Sequence, residues 1–237
     1  MPIQLIAFDA DDTLWENEAL YHRGRARFRA LLAPYGIAQV SDEALDEIEI
    51  GNLPLYGYGV MGFVLSLIEA AVKITDGRVT GAEVEQLLDL GKEMLGAEVV
   101  LFEHVEGVLR RLREQYPLML ITKGDLNHQQ SKVSRSGLQE NFRYVEVVSE
   151  KNPEIYAEIF QRRGCAPENI LMVGNSLRSD ILPVLALGSM AVYIPQALNW
   201  THESAEAPDG TDGRFFELPH IGLLPELLEQ ITAEQEA

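Results

Sequence analysis

The chain has 237 residues, of which 46% are hydrophobic and 24% are charged, so it is too apolar to be a disordered protein and long enough for one domain with an insert. Its 19 basic and 37 acidic residues give a formal net charge of −18, and a field of that sign repels nucleic acids and anionic membrane surfaces. We therefore expect neither nucleic acid nor membrane as a partner.

A single cysteine, Cys165, excludes an internal disulfide and a multi-cysteine zinc site. The first residues lack the basic stretch and the longer apolar run of a secretory signal. Two uncharged stretches, 50–68 and 181–202, have the length of a membrane span, but glycine and proline interrupt both, so neither predicts a transmembrane helix. We expect a cytoplasmic protein that is a monomer or a homodimer.

Short apolar runs alternate with segments of helical periodicity along most of the chain, which is typical of an α/β fold with a parallel sheet. Helices are expected between the second and fifth strands at 126–136, 153–163 and 179–187, and a terminal helix is expected from Leu223. The predicted strands are 3–8, 118–122, 144–148, 170–173 and 190–194, with an edge strand near 215–218.

More than a hundred residues separate the first two predicted strands, far more than one crossover helix needs. This stretch has helical periodicity almost throughout, and Thr80 with Glu83 forms the sequence pattern of a capping box. We therefore predict a core domain of residues 1–15 and 101–237 with an inserted helical domain of residues 16–100. The helices expected before the second strand are 18–35, 41–48, 58–74, 80–95 and 105–116.

Polar residues follow four of the predicted strands, at the carboxyl ends where open parallel sheets bind ligands. Each such loop alone is usually a solvated turn, but four in this order indicate one site. The four sets are Asp9-Ala10-Asp11-Asp12-Thr13, Thr122-Lys123-Gly124-Asp125, Ser149-Glu150-Lys151-Asn152-Pro153 and Gly174-Asn175-Ser176-Leu177-Arg178-Ser179-Asp180.

These residue types fit phosphoryl transfer. A carboxylate nucleophile, for which Asp9 is the candidate, splits a hard hydrolysis into two easier steps. Repulsion between like charges opposes the attack, at about 4 kcal/mol for a pair near 4 Å in an effective dielectric of about 20. Mg²⁺ held by Asn175 and Asp180, together with Lys151, would offset that repulsion, and Asp11 is placed for general acid and base work.

Phosphate oxygens need hydrogen-bond donors, and the second motif offers three of them. We expect the Thr122 hydroxyl group and the backbone amides of Lys123 and Gly124, at the entry of a helix, to bind the phosphate group of the substrate.

With these four motifs the chain resembles the phosphatase branch of the haloacid dehalogenase superfamily. The resemblance implies a Rossmannoid parallel-sheet core, a C1-type helical cap inserted after the first motif, and Mg²⁺-dependent hydrolysis of a small phosphorylated metabolite through phospho-Asp9. It also implies that Asp9, the backbone carbonyl of Asp11, Asn175 and Asp180 form the metal site. The matching motifs are DxDxT at 9–13, Thr122 with Gly124, Lys151 with Pro153, and the acidic motif at 174–180.

Two positions depart from the family pattern. Asn175 occupies the place of a metal-binding aspartate, which predicts weaker Mg²⁺ binding or more ligation by Asp180. Lys123 occupies the place of a frequent asparagine, and it either adds positive charge near the phosphate or caps a turn.

Other residues favour structural interpretations, with one alternative left open. Asp12 is expected to bond the loop backbone, and the arginines at 23, 25, 27 and 29 are expected on a solvated helix face. The segment Tyr56-Gly57-Tyr58-Gly59 either lines a substrate pocket and hinges the cap or begins a helix packed on the core.

Three other functions stay open. A dehalogenase would need neither a metal nor an acid at Asp11, a phosphomutase would retain the phosphoryl group, and a non-catalytic binding module is suggested only by Asn175.

Overall fold

The computed structural model describes residues 2–36, 41–209 and 213–236. The chain divides into two compact units, Met1–Glu16 with Val99–Ala237, and Asn17–Glu98. In chain order, the strands are β1 (Leu5–Phe8), β2 (Leu118–Lys123), β3 (Tyr144–Val148), β4 (Ile170–Gly174), β5 (Met190–Tyr193) and β6 (Phe215–Glu217). The helices are α1 (Glu18–Leu32), α2 (Asp42–Tyr56), α3 (Val60–Ile74), α4 (Gly81–Gly96), α5 (Val105–Leu112), α6 (Leu126–Arg135), α7 (Pro153–Arg163), α8 (Leu182–Ala186) and α9 (Leu224–Glu236).

The first unit contains a six-stranded sheet in the order β3-β2-β1-β4-β5-β6, with every neighbouring pair parallel. The predicted α/β class and parallel sheet are confirmed. From β1 the chain first extends the sheet through β2 and β3, and then returns to add β4 on the other side of β1. This reversal creates a crevice at the carboxyl ends of β1 and β4, where doubly wound folds bind their ligands.

Two hydrophobic layers cover the faces of the sheet, as its near-continuous apolar strands require. Side chains alternate along β1, so that Ile6 and Phe8 join the layer containing Val105 and Leu228, whereas Leu5 and Ala7 join the layer of Tyr156 and Val184. Burial on both faces fixes the register of β1, because a slip of one residue would exchange the layers. The fixed register also fixes the position of the motif at residues 9–13, which follows β1 at the carboxyl end of the sheet.

The second unit consists of α1 to α4 around an apolar cluster that includes Phe28, Phe63 and Leu87. The capping box is confirmed: the Thr80 hydroxyl accepts from the Glu83 amide, and the Glu83 carboxylate accepts from the Thr80 amide. Helix α2 extends to Tyr56, well beyond the predicted end at residue 48.

Tertiary contacts explain why α2 continues past Gly51 and Pro54. The Asn52 amide group donates to Ser66 Oγ at 3.1 Å and to Glu69 Oε2 at 2.7 Å, which fastens the last turns of α2 to α3. The segment of residues 56–59 thus joins two helices, with positive φ angles of 71° at Gly57 and 119° at Gly59. Its role in substrate binding or hinge motion stays a prediction.

The prediction of a solvated arginine face on α1 is wrong for Arg25. This side chain is buried and pairs with Asp46 at 2.6 Å and with Glu49 at 2.7 Å, both from α2. A spacing of two residues rotates consecutive arginines by about 200° around the helix, so Arg25 lies on the opposite face from Arg23 and Arg27. The Arg25 face is the one that meets α2. The network joins α1 to α2 by charge as well as by apolar contact.

Glu49 gives this network a pH dependence. Burial raises the pKa of Glu49 to about 7, against the opposing charge of Arg25. A carboxyl group whose pKa is higher in the folded than in the unfolded state binds more protons when folded, so stability rises as the pH falls from about 7 toward 4.5. We expect thermal melts of the wild-type protein to gain stability over this range relative to Glu49→Gln, by at most about 3 kcal/mol. Parallel melting curves for the two proteins would contradict this assignment.

Within the described residues, every helix is too short or too polar to cross a membrane.

Candidate active site

Asp9 lies directly after β1 and is buried, at 6% exposure. Its amide donates to the Val173 carbonyl of β4 at 2.9 Å, which anchors the residue in the crevice between the two strands. Its carboxylate accepts from Thr13 Oγ1 at 2.9 Å through one oxygen and from Lys151 Nζ through the other. Asp12 has a φ of 60° and donates its backbone amide to the Trp15 carbonyl, and a bond from its side chain to the loop backbone stays a prediction.

Lys151 connects Asp9 with Asp180. Its side chain is 2% exposed, and Nζ contacts both Asp9 Oδ1 and, at 2.7 Å, Asp180 Oδ1. Burial alone would lower the pKa of Lys151, but the two carboxylates outweigh it and raise that pKa well above its usual value. Burial raises the pKa of Asp9 to about 7, with Asp180 and Asp11 adding to this effect and Lys151 opposing it. Two buried carboxylate groups, Asp9 and Asp180, therefore share one lysine.

A π-helical turn at Leu177–Ile181 aims Asp180 back at this lysine. The amides of Asp180 and Ile181 both donate to the Ser176 carbonyl, at 2.9 and 3.2 Å, and Asp180 Oδ2 accepts from the Ser176 amide at 3.0 Å. The carboxylate packs against Gly174, where an added Cβ would lie 2.4 Å from it. Such π turns occur frequently at functional sites.

Gly174→Ala should displace Asp180 and lower both stability and activity, because the buried contact leaves no space for a methyl group. A cost of about 1–3 kcal/mol is typical of overpacking a core. Thermal melting and turnover measure the two effects. Gly107→Ala in α5 is the matched control, since an added Cβ there meets nothing within 4 Å and alanine favours a helix. Unchanged melting and turnover for Gly174→Ala would refute this packing argument.

The Asp11 carboxylate is held by four donor contacts. Lys132 Nζ lies 2.6 Å from each carboxylate oxygen, Trp15 Nε1 donates at 2.6 Å and Gln129 Nε2 at 3.0 Å. Burial alone would raise the pKa of Asp11, but Lys132 and these hydrogen bonds outweigh it and lower that pKa. Asp11 is therefore held as a carboxylate. Neither Lys132 nor Gln129 was among the predicted site residues.

Of the predicted phosphate donors in the second motif, the Thr122 hydroxyl group stays a prediction, whereas the Gly124 amide is already paired. Thr122 is buried, and its hydroxyl oxygen accepts from Gln129, so its own proton can be donated to a ligand. The prediction that the Gly124 amide faces the phosphate is wrong, because this amide donates to the Val148 carbonyl at 3.1 Å. Gly124 instead supplies a φ of 138°, which residues with a side chain rarely adopt.

Lys123 forms a buried ion pair with Glu203 rather than capping a turn. Its Nζ lies 2.7 Å from Glu203 Oε1 and 3.0 Å from Ser179 Oγ. Burial alone opposes ionisation of Glu203, but the Lys123 charge and hydrogen bonds from Lys123, Ser179 and Ser176 hold the pKa of Glu203 at about 2. The charge of Lys123 is thus paired with Glu203. The sequence analysis does not predict Glu203 as a site residue.

Comparison with known proteins agrees with this geometry. The family model of the haloacid dehalogenase-like hydrolases matches residues 3–188. The chain belongs to this family of hydrolases. It is 26% identical to human N-acylneuraminate-9-phosphatase over 98% of this chain and 96% of the relative. It is 27% identical to glyceraldehyde 3-phosphate phosphatase of Methanothermobacter thermautotrophicus over 89% and 93% of the two chains.

A solved structure extends the likeness to the whole chain. A haloacid dehalogenase-like family hydrolase from Xanthomonas campestris superimposes with a TM-score of 0.87 at 34% identity, over 98% of this chain and 97% of that one. The resemblance drawn from the four motifs is therefore confirmed at the level of the haloacid dehalogenase-like family.

The oxygen donors of this haloacid dehalogenase-like hydrolase fit a hard cation such as Mg²⁺. Thr13 Oγ1 lies 2.9 Å from Asp9 Oδ2 and 3.2 Å from Asn175 Oδ1, so a carboxylate oxygen and an amide oxygen lie near each other around this hydroxyl group. Both donor types suit magnesium, and the surplus negative charge around Asp9 favours a cation. Among the residues that the structure describes, no group of three or more histidine, cysteine, aspartate or glutamate side chains is arranged for a metal.

Proposed function

We propose that this protein is a Mg²⁺-dependent phosphatase that hydrolyses a small phosphorylated metabolite through an aspartyl phosphate on Asp9. The observation that carries the proposal is the Asp9 carboxylate, buried at the carboxyl end of β1 between Lys151 and Thr13. The two phosphatases reported above support a small phosphate ester as the substrate, since each covers nearly the whole chain.

In the first step, a carboxylate oxygen of Asp9 attacks phosphorus and the bond from phosphorus to the leaving oxygen breaks. In the free site, against the effect of burial, Lys132 and the hydrogen bonds lower the pKa of Asp11, so this step requires Asp11 to take up a proton from solvent when the phosphate ester binds. Asp11 then gives that proton to the leaving oxygen and returns to the carboxylate form. Lys151 stays charged beside Asp9 and offsets the repulsion between the nucleophile and the phosphate group. The Thr122 hydroxyl group donates to a phosphate oxygen.

In the second step, water attacks the phosphorus of the aspartyl phosphate and gives its proton to the Asp11 carboxylate. The bond between phosphorus and the Asp9 oxygen then breaks, which releases inorganic phosphate and restores Asp9. The lowered pKa of Asp11, set by Lys132 and the hydrogen bonds against the effect of burial, favours the proton-accepting form that this step requires.

Asp9, Asn175, Asp180 and the backbone carbonyl of Asp11 would hold the magnesium ion. When bound, the ion would neutralise charge on the phosphate group and stabilise the transition state. We include in the proposal that the helical unit is a C1-type cap controlling substrate access, which its insertion between β1 and β2 supports. The single cysteine supports a cytoplasmic enzyme within the same proposal.

A screen of phosphorylated metabolites tests the function, with inorganic phosphate release as the readout in the presence of Mg²⁺ and of EDTA. We expect release from at least one phosphate ester, lost in EDTA. A 2-haloacid and a hexose 1-phosphate belong in the same screen. Halide release that survives chelation would replace the proposal with dehalogenase chemistry, and isomerisation without phosphate release would replace it with a phosphomutase.

Asn175→Asp should strengthen Mg²⁺ binding, because it adds one negative charge beside Asp9 in a buried pocket. We expect the Mg²⁺ concentration for half-maximal activity to fall roughly tenfold, equivalent to about 1.4 kcal/mol. Asn141→Asp adds the same charge shortly before β3, at the amino end of an outer strand and away from Asn175. This control should leave the Mg²⁺ titration unchanged. An unchanged or higher half-maximal concentration for Asn175→Asp would remove Asn175 from the metal site.

A further inference from the structure

We propose that Lys132, together with Gln129, is a positioning residue that orients Asp11 for proton transfer. The inference rests on the proposed phosphatase function, and it assigns a role to two residues of α6 that lie outside the four motifs. Lys132 contacts Asp11, the proposed acid-base group, whereas the lysine that contacts the nucleophile Asp9 is Lys151.

The contacts that carry this inference are short and buried. Lys132 Nζ lies 2.6 Å from both oxygens of Asp11, and its side chain is 8% exposed. Gln129 Nε2 contacts Asp11 Oδ2 at 3.0 Å, and Trp15 Nε1 contacts Oδ1 at 2.6 Å. Because donors reach both oxygens, the carboxylate plane and its side-chain rotamer are fixed together.

The start of α6 explains how the two residues reach Asp11. The Asp125 side chain caps the helix by accepting from the His128 amide at 2.8 Å, which sets the first helical residue at Leu126. Residues three apart lie on the same side of a helix, so Gln129 and Lys132 approach Asp11 together. This capping arrangement places both side chains with the precision of a rigid element.

Gln129 also links the acid-base group to the phosphate-binding strand end. The same amide nitrogen lies 2.5 Å from Thr122 Oγ1 and 3.0 Å from the Lys123 carbonyl oxygen. Because one amide nitrogen contacts both side chains, Gln129 couples the orientation of Asp11 to the position of Thr122, the residue expected to hold the substrate phosphate. A shift of α6 would therefore affect both Asp11, the proposed proton donor, and the Thr122 hydroxyl group that is expected to bind the phosphate.

Stability alone is a weak reason to bury this lysine. Desolvation opposes the gain from a buried ion pair, and an apolar residue of similar size is often as stable. The arrangement therefore predicts that replacing Lys132 harms turnover more than folding. A lysine that bound the substrate directly would instead affect KM.

The test compares Lys132→Met and Lys132→Gln with the wild-type enzyme, using p-nitrophenyl phosphate and Mg²⁺. We expect kcat to fall about 100-fold with KM within about twofold, and Lys132→Arg to recover part of the loss. Lys132→Gln keeps a hydrogen-bond donor without the charge, so it provides a folded variant if the methionine variant is unstable. Arg135→Met, one turn further along α6, is the control expected to keep wild-type turnover.

A double-mutant cycle with Asp11→Asn distinguishes positioning from a general structural effect. In that background, removal of Lys132 should cost less than about twofold in kcat, because the group that it positions is already absent. An equal loss in both backgrounds, or a rise in KM with unchanged kcat, would overturn the inference. If the wild-type enzyme releases phosphate and both Lys132 variants match it, this inference alone fails; a wild-type enzyme that releases no phosphate from any ester overturns the proposed function.

Discussion

Replacing Asp9 with asparagine should abolish phosphate release, with kcat reduced by at least about 10⁴-fold. An amide oxygen is a poor nucleophile toward phosphorus, so no covalent intermediate can form. The amide oxygen of asparagine can accept from Lys151, and its amide nitrogen can donate to the Thr13 hydroxyl oxygen, which reverses the direction of that hydrogen bond. The loss should therefore appear in chemistry and not in folding.

Thermal melting in EDTA is the control for this variant. Burial raises the pKa of Asp9 to about 7, so the ionised group destabilises the metal-free protein above that pH. At pH 8 the asparagine variant should melt at the same temperature as the wild-type protein or higher. Residual phosphate release above one part in about 10⁴, in a preparation free of other phosphatases, would exclude Asp9 as the nucleophile.

Lys151→Met should remove activity and also cause a large loss of stability. Lys151 contacts the two buried carboxylates of Asp9 and Asp180, and its removal leaves both without this cation. Breaking a buried pair in this way costs about 3–5 kcal/mol, which corresponds to a fall of roughly 10 °C in melting temperature for a chain of this size. Differential scanning calorimetry in EDTA measures this effect.

Two further measurements separate charge from packing in the Lys151 variant. Burial and the neighbouring Asp180 charge already raise the pKa of Asp9, and removing the lysine removes the charge that opposes them, so the variant should regain stability as the pH falls from 8 to 5 and Asp9 takes up a proton. Adding Asp180→Asn removes one of the two charges and should recover part of the loss at pH 8. A Lys151→Met protein with the wild-type melting temperature would show that the lysine is not the charge partner described here.

Much of the fold follows from the sequence because the strands β1, β2, β4 and β5 are buried on both faces, and β3 is apolar except for Glu146. The apolar runs of β1 to β5 therefore stand out against their polar neighbours, and each predicted strand agrees with the observed one to within two residues at either end. Helix α2 was predicted too short because Gly51 and Pro54 disfavour helix locally. Contacts from Asn52 to α3 override that preference, and no local pattern reveals them.

Some residues of the candidate site can likewise be predicted from the sequence, and others cannot. Asp9, Lys151 and Asp180 each follow a strand, and the parallel topology alone predicts that they meet at the carboxyl end of the sheet. Lys132, Gln129 and Glu203 lie on a helix or in a long loop, where polar residues ordinarily indicate solvent. Only the three-dimensional structure shows that α6 presents its polar side to Asp11. One detectable signal existed for the pair, namely the spacing of three residues from Gln129 to Lys132 just after a strand-end motif.

Because of the π-helical turn after β4, the fourth motif cannot gain or lose even one residue without moving Asp180. Each residue of an α-helix turns the side chain by about 100°, so deleting one residue between Asn175 and Asp180 would convert the turn to a regular helix and rotate the Asp180 carboxylate away from Lys151. Inserting a residue would rotate it the other way. Homologous enzymes that keep this lysine contact should therefore tolerate substitutions in residues 176–179 far more readily than any change in their number.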